Sequence, residues 1–210
     1  MKPAPFDYVA PATLDEALAL VGESSRPLAG GQSLVPRLNA RAERPARIVD
    51  LNRLQGHDYL REEEGWLRIG MLVRQSELLE LEHWPLLHAA VSRTGHPATR
   101  TRGTVCGSVA NGDPRSELPA ALTALEARVH VRSAAARRET TVPALRLAPD
   151  ELIVELEVPP HPGDWRLYEY TATHGDWPQV GVAAAGANVV PFGRGLDSPW
   201  AHALIAEALA

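Results

Sequence analysis

Cysteine is almost missing from this sequence: Cys106 is the only one in 210 residues. A lone thiol excludes an intramolecular disulfide. It also excludes an iron–sulfur cluster or a Cys-based metal centre built from this chain alone. The eight histidines form no HExxH or His-x-His cluster, so no metal site is expected. No window reaches the roughly 18 apolar residues of a membrane-spanning helix. The start, MKPAPFDYVAP, has one Lys, two early prolines and no apolar stretch, unlike a secretory signal. Excess positive charge is missing too. The formal net charge is −5, and the arginines of RAERPAR (41–47) read as a solvated helix end or loop. Nucleic acid is therefore not an expected partner. The GxGxxG and Walker signatures are absent, which leaves Rossmann and P-loop readings unsupported. These absences point to a soluble, cytoplasmic protein.

What is present suits one domain or two small ones, with an ordinary hydrophobic fraction of 45%. ATLDEALALVG (12–22) reads as a helix. Thr13 and Glu16 have capping-box spacing, and Gly22 can stop it. RPLA (26–29) reads as a strand, SLVPRLNARA (33–42) as a helix with Pro36 in its first turn, and ARIVDL (46–51) as a strand. The texture then changes. A hairpin is expected over 58–70, turning at Glu64 and Gly65. Residues 75–95 read as a helix in two pieces split at Pro85. Residues 101–114 read as a glycine-containing loop, 116–127 as a helix and 129–142 as a hairpin. Strands are expected over 151–158, 165–172 and 180–190, and a short apolar helix over 197–210. The pattern predicts an α+β chain. A small N-terminal β/α subdomain (1–55) precedes a larger, mainly antiparallel one (56–190), and a short tail follows (191–210).

Two segments can carry chemistry. In PLAGGQSLVPRL (27–38), a strand runs through Gly30 and Gly31 into a helix start. Backbone N–H groups there suit an anion, above all a phosphate, and Gln32 and Ser33 add side-chain donors. A tight turn with Ser33 as helix N-cap is the alternative. The second segment, TRGTVCGSVANGDPRSELP (101–119), carries Thr104, Ser108, Asn111, Asp113 and Glu117 between glycines. Hydroxyl and amide groups there can bind a diphosphate, and a carboxylate can accept from sugar hydroxyls. An ordinary polar loop with a turn at Asp113 and Pro114 is the alternative. Together the two suit a dinucleotide.

The order of these parts resembles the FAD-binding (medium) subunit of molybdenum hydroxylases, the carbon monoxide dehydrogenase and xanthine dehydrogenase group. The likeness runs over roughly residues 2–187. It is carried by KPAPFDYVAPATLDEALAL, LAGGQSLVPRLNAR, IVDLNRL, LRIGMLVRQSELL, TRGTVCGSVANGDPRSELPAAL, DELIVELEVP and HGDWPQVGVAA. The resemblance implies an FAD-binding fold of two subdomains and FAD as cofactor. It implies that Leu28, Ala29, Gly30, Gly31, Gln32, Ser33 and Leu34 wrap the diphosphate, with Thr104, Gly107 and Ser108 on the other wall. Asn111 and Asp113 would reach the diphosphate or adenosine side, and Glu117 the ribityl or ribose hydroxyls. Ile153 would pack on a ring, and Tyr168 would lie near the isoalloxazine, unless a one-residue slip turns it away.

The sequence departs from that family in three ways. Cys106 stands where a second glycine is usual. Glu169 stands where a Lys is frequent, and a carboxylate there disfavours the anionic reduced flavin. The loop before DELIVELEVP is short and the C-terminal helical domain is mostly absent, with 197–210 read as its remnant. The resemblance implies an electron-transfer flavoprotein subunit, an FAD-dependent oxidoreductase. Its partners would be an iron–sulfur subunit and a molybdenum-cofactor subunit. The alternative is a stand-alone flavin-dependent tailoring oxidoreductase, or a repurposed scaffold, acting on a small molecule, with a homodimer as its partner state. His96, Tyr168, His174 and Asp176 are candidate acid/base groups for that case, with no catalytic residue singled out.

Overall fold

The computed structural model describes residues 2–160, 163–198, 201–203 and 205–206. The first unit is a three-stranded parallel sheet of β1 (Asp7–Val9), β2 (Ser25–Leu28) and β3 (Arg47–Asp50), in the order β1-β3-β2. The central strand is the apolar one, with Ile48 and Val49 fully buried, as expected where both faces are covered. Helix α1 (Leu14–Leu20) starts on the expected capping box. The Thr13 side chain accepts from the Glu16 N–H, and Glu16 accepts in return from the Thr13 N–H. Thr13→Ala is expected to lower stability by about 1 kcal/mol, a shift readable in the urea midpoint. Helix α2 (Leu34–Asn39) carries Pro36 in its first turn.

A five-stranded antiparallel sheet follows, in the order β4-β5-β8-β6-β7. Its strands are β4 (Leu60–Glu63), β5 (Trp66–Gly70), β6 (Arg128–Arg132), β7 (Arg137–Thr141) and β8 (Leu152–Val158). The β4–β5 turn places Glu64 at φ 52° and Gly65 at φ 79°, the left-handed pair that a two-residue hairpin needs. Between β5 and β6 lie a 3-10 turn (Gln75–Glu80) and helices α3 (Pro85–Arg93), α4 (Pro97–Arg100), α5 (Val105–Asn111) and α6 (Glu117–Ala124). Pro85 opens α3, so the expected split falls where the ring forbids a continuing helix.

Two expectations change. Residues 105–111, expected as loop, form α5. Thr104 caps its start by accepting from the Gly107 N–H, and Gly112 ends it in the left-handed conformation. The three glycines had masked a short capped helix. The expected strand 180–190 is a hairpin, β10 (Val180–Ala185) and β11 (Asn188–Phe192), because Gly186 turns the chain at φ 55°. With β9 (Trp165–Tyr170) they form a third sheet in the order β11-β10-β9.

Helix α6 packs against β10 and β11 and is buried along nearly its whole length. Ala17, Leu18, Val49 and Leu51 of the first 55 residues belong to the same core cluster as Leu67, Leu122 and Leu156. Of the tail expected to be helical, residues 201–203 and 205–206 are helical, Asp197 and Ser198 instead form a turn and a bend, and residues 199–200, 204 and 207–210 lie outside the described residues. Among the described residues, no helix is long and apolar enough to cross a membrane.

Candidate functional site

The two glycine-containing segments meet. A Cβ added at Gly30 would lie 2.3 Å from the Arg102 carbonyl oxygen and 2.6 Å from the Gly103 Cα. The close approach that Gly30 allows is thus to the backbone of the second segment. Gly31 serves differently: its φ of 75° turns the chain into α2, and the Val35 N–H donates to its carbonyl at 2.9 Å.

Beside this junction opens a cleft of about 670 Å³, within the roughly 300–1,000 Å³ of cofactor and ligand sites. One wall is residues 29–34. Facing it are Thr104, Cys106, Gly107, Ser108 and Asn111 of the α5 segment, then Glu117 at the start of α6 and Ile153 on β8. Gln75, Thr94, Leu152 and Trp177, which sequence reading missed, are among the other lining residues. Nothing local in the sequence marks them. They reach the cleft by tertiary packing of elements far apart in the chain.

Ser33 occupies the N-cap position of α2, yet its backbone is helical and its side chain makes no capping bond. The N–H groups of Gly31, Gln32, Ser33 and Leu34 donate to no acceptor among the described residues. Gln75 is buried; its Nε2 donates to Ser108 Oγ at 2.7 Å, while its Oε1 lacks a donor among the described residues. Glu117 is 3% exposed, and its carboxyl accepts from its own backbone N–H and from the Thr94 hydroxyl, the latter at 3.3 Å. Burial pushes this carboxyl up to about 7, and the negative Glu169 adds to the rise.

Three residues expected at the site stand off the cleft. Leu28 packs with Leu34, Leu38 and Ile48 beneath the first segment. Asp113 is held by Arg115 through two bonds of 2.8 and 2.6 Å, and that pairing keeps its carboxyl below the usual range. The Arg115 guanidinium in turn lies 4.4 Å from the centre of the Trp177 ring. Tyr168 is 45% exposed. By strand alternation its neighbour Glu169 takes the inward face, 4.0 Å from Arg93 and close enough to Glu117 to raise that carboxyl. The register thus turns Tyr168 outward.

Cys106 sits in the first turn of α5 with a helical backbone, so no left-handed conformation is asked of it. Its thiol packs 3.9 and 3.8 Å from the Ile69 and Gly70 carbonyls, and burial pushes its pKa up. His96 and His174 meet edge to face at 6.1 Å, outside the cleft lining. Asp176 lines the cleft but is engaged by Arg194 at 3.1 Å. The segment before β8 is stapled by a bidentate Arg138–Glu151 pair, with both bonds at 2.7 Å.

Free backbone donors on one wall suit a diphosphate. An acceptor amide and a buried carboxyl across from them suit hydroxyl groups, and the apolar Leu152 and Ile153 suit a ring. The residues present therefore fit FAD. The α+β fold and this cleft define a flavin-binding oxidoreductase domain.

Comparison with known proteins gives the family. A family model described as the FAD binding domain in molybdopterin dehydrogenase matches residues 4–161. The 6-hydroxypseudooxynicotine dehydrogenase complex subunit alpha of Paenarthrobacter nicotinovorans is 38% identical over 200 residues, 88% of this chain and 68% of that protein. Caffeine dehydrogenase subunit beta of Pseudomonas sp. (strain CBB1) is also 38% identical over 200 residues, 87% of this chain and 68% of its own length. The structure of carbon monoxide dehydrogenase from Hydrogenophaga pseudoflava, in a form lacking the Mo-pyranopterin moiety, superposes with a TM-score of 0.84 at 27% identity. That match covers 99% of this chain and 87% of the other. The chain belongs to the FAD-binding domain family of molybdopterin dehydrogenases.

Proposed function

We propose that this chain is the flavoprotein subunit of a molybdenum hydroxylase complex, taking electrons from its partners and passing them to an external acceptor. The observation that carries the reading is the cleft. Residues 29–34 and the α5 segment share it, with unpartnered N–H groups on one side and the buried Glu117 on the other. We assign residues 31–34 to the diphosphate, Gln75 and Glu117 to hydroxyl groups, and Leu152 and Ile153 to ring packing. Bound FAD supplies the redox chemistry, and the chain's residues bind and orient it. One cysteine cannot hold an iron–sulfur cluster, so the clusters belong to a partner. The relatives named as a complex subunit alpha and a subunit beta support assembly with other chains.

The test is a visible spectrum of the purified chain with added FAD, followed by co-purification from its native host. The visible absorption of a bound oxidised flavin, together with a cysteine-rich iron–sulfur partner, is expected. A colourless protein that ignores FAD sinks the reading. FAD-dependent turnover of a small molecule by the chain alone favours the stand-alone oxidoreductase instead.

A further inference from the structure

The two walls of the cleft come from segments some seventy positions apart, and one side-chain relay ties them together. Arg74 lies just before the 3-10 turn at Gln75–Glu80. Its guanidinium donates through Nη1 to the Arg102 carbonyl at 2.6 Å and through Nη2 to Asn52 Oδ1 at 2.7 Å. Asn52 donates in turn through Nδ2 to the Ala29 carbonyl at 2.9 Å. The orientation of that amide is fixed by chemistry. Arg can only donate and a carbonyl can only accept, so a flipped amide would lose both bonds. Asp50 accepts from the Asn52 N–H at 3.0 Å and from Nδ2, and the Tyr8 hydroxyl donates to Asp50. The relay therefore starts on the parallel sheet and ends on the carbonyl that abuts Gly30.

We infer that Arg74 and Asn52 are positioning residues that clasp the 29–34 segment to the Arg102–Thr104 segment, and that this clasp sets how slowly FAD leaves. The inference rests on the reading that these two segments hold FAD. Neither side chain lines the cleft, so both act on the cofactor only through the backbones they join. The planar fork of Arg74 spans two acceptors at once, which a Lys ammonium on a shorter reach does not reproduce. Short, charge-assisted bonds of this kind are the stronger class.

The experiment is FAD release from the loaded chain on rapid large dilution, followed by flavin fluorescence, for Arg74→Met, Asn52→Leu, the double variant and Arg74→Lys. Thermal melts of each apo-protein run alongside. Either single change is expected to speed release at least tenfold. The double variant is expected to match the singles within twofold, since each change breaks the same relay, and Arg74→Lys is expected to fall between Arg74→Met and wild type. Release within twofold of wild type in both singles overturns the clasp, as do effects that multiply in the double. So does an apo melting temperature that falls in step with release, because the role is then general stability. If Gly30→Ala and Glu117→Gln also leave FAD binding unchanged, the site assignment fails with it. If those two lose FAD while the relay variants hold it, only the clasp fails.

Discussion

Gly30→Ala is expected to raise the dissociation constant for FAD at least a hundredfold. The new methyl would meet the Arg102 carbonyl oxygen at 2.3 Å and the Gly103 Cα at 2.6 Å. Both are backbone atoms, so the first segment has to move away from the second. A hydrogen bond to a charged group contributes roughly 1.5–3 kcal/mol, and losing two from the diphosphate exceeds a factor of about 100. Gly31→Ala is expected to do less. The left-handed backbone costs about 1–2 kcal/mol for a side chain, but the added methyl meets only Val35 and Leu28 side-chain atoms at 3.2 and 3.3 Å. Gly31→Val acts by the same strain, because its Cβ points at those side chains. Isothermal titration of each apo-protein with FAD, beside a melt, ranks the variants. Wild-type affinity in a folded Gly30→Ala protein would falsify the spacing argument.

Glu117→Gln is expected to flatten the pH dependence of apo-protein stability. The Glu117 carboxyl titrates at about 7 in the fold, against an ordinary 4.5. The folded state therefore holds the proton more tightly than the unfolded one. The contribution of this group is fully present below about pH 4.5 and is lost as pH rises to about 7. The total is about 3 kcal/mol. Urea titrations of wild type are expected to lose that much between these limits, on top of other groups, and the Gln variant is expected to lack that share. Equal slopes in the two proteins would remove the buried acid from the account. Hydroxyl donors from FAD favour the ionised form. Under the proposed site, cofactor binding near neutral pH therefore expels a proton, and affinity rises with pH in wild type but not in the variant.

Local signals in the sequence were read well where a neighbour a few positions away decides the outcome. The Thr13–Glu16 capping box, the Glu64–Gly65 turn and the Pro85 break are all of this kind. Helix α5 was hidden because its glycines outweighed the Thr104 cap and the Gly112 stop that bracket it. The hairpin at Gly186 was hidden because apolar residues continue on both sides of the turn. At the site, the Gly30–Gly31 pair marked a close approach, but spacing could not say that Gly30 meets Gly103 while Gly31 only turns the chain. The outward setting of Tyr168 hangs on a register one residue deep. Gln75, Thr94 and Trp177 join the cleft through long-range packing, for which a single sequence carries no periodic mark.

The one sulfhydryl of the chain gives the fold a built-in clock. Cys106 is 3% exposed beneath the β5 carbonyls, at the start of the helix that forms a cleft wall. A thiol reagent reaches it only when that wall lifts, so in reagent excess the labelling rate counts openings of this one place. No engineered label is needed, and no second cysteine blurs the signal. Openings counted with and without bound cofactor then measure how far the ligand holds the wall shut.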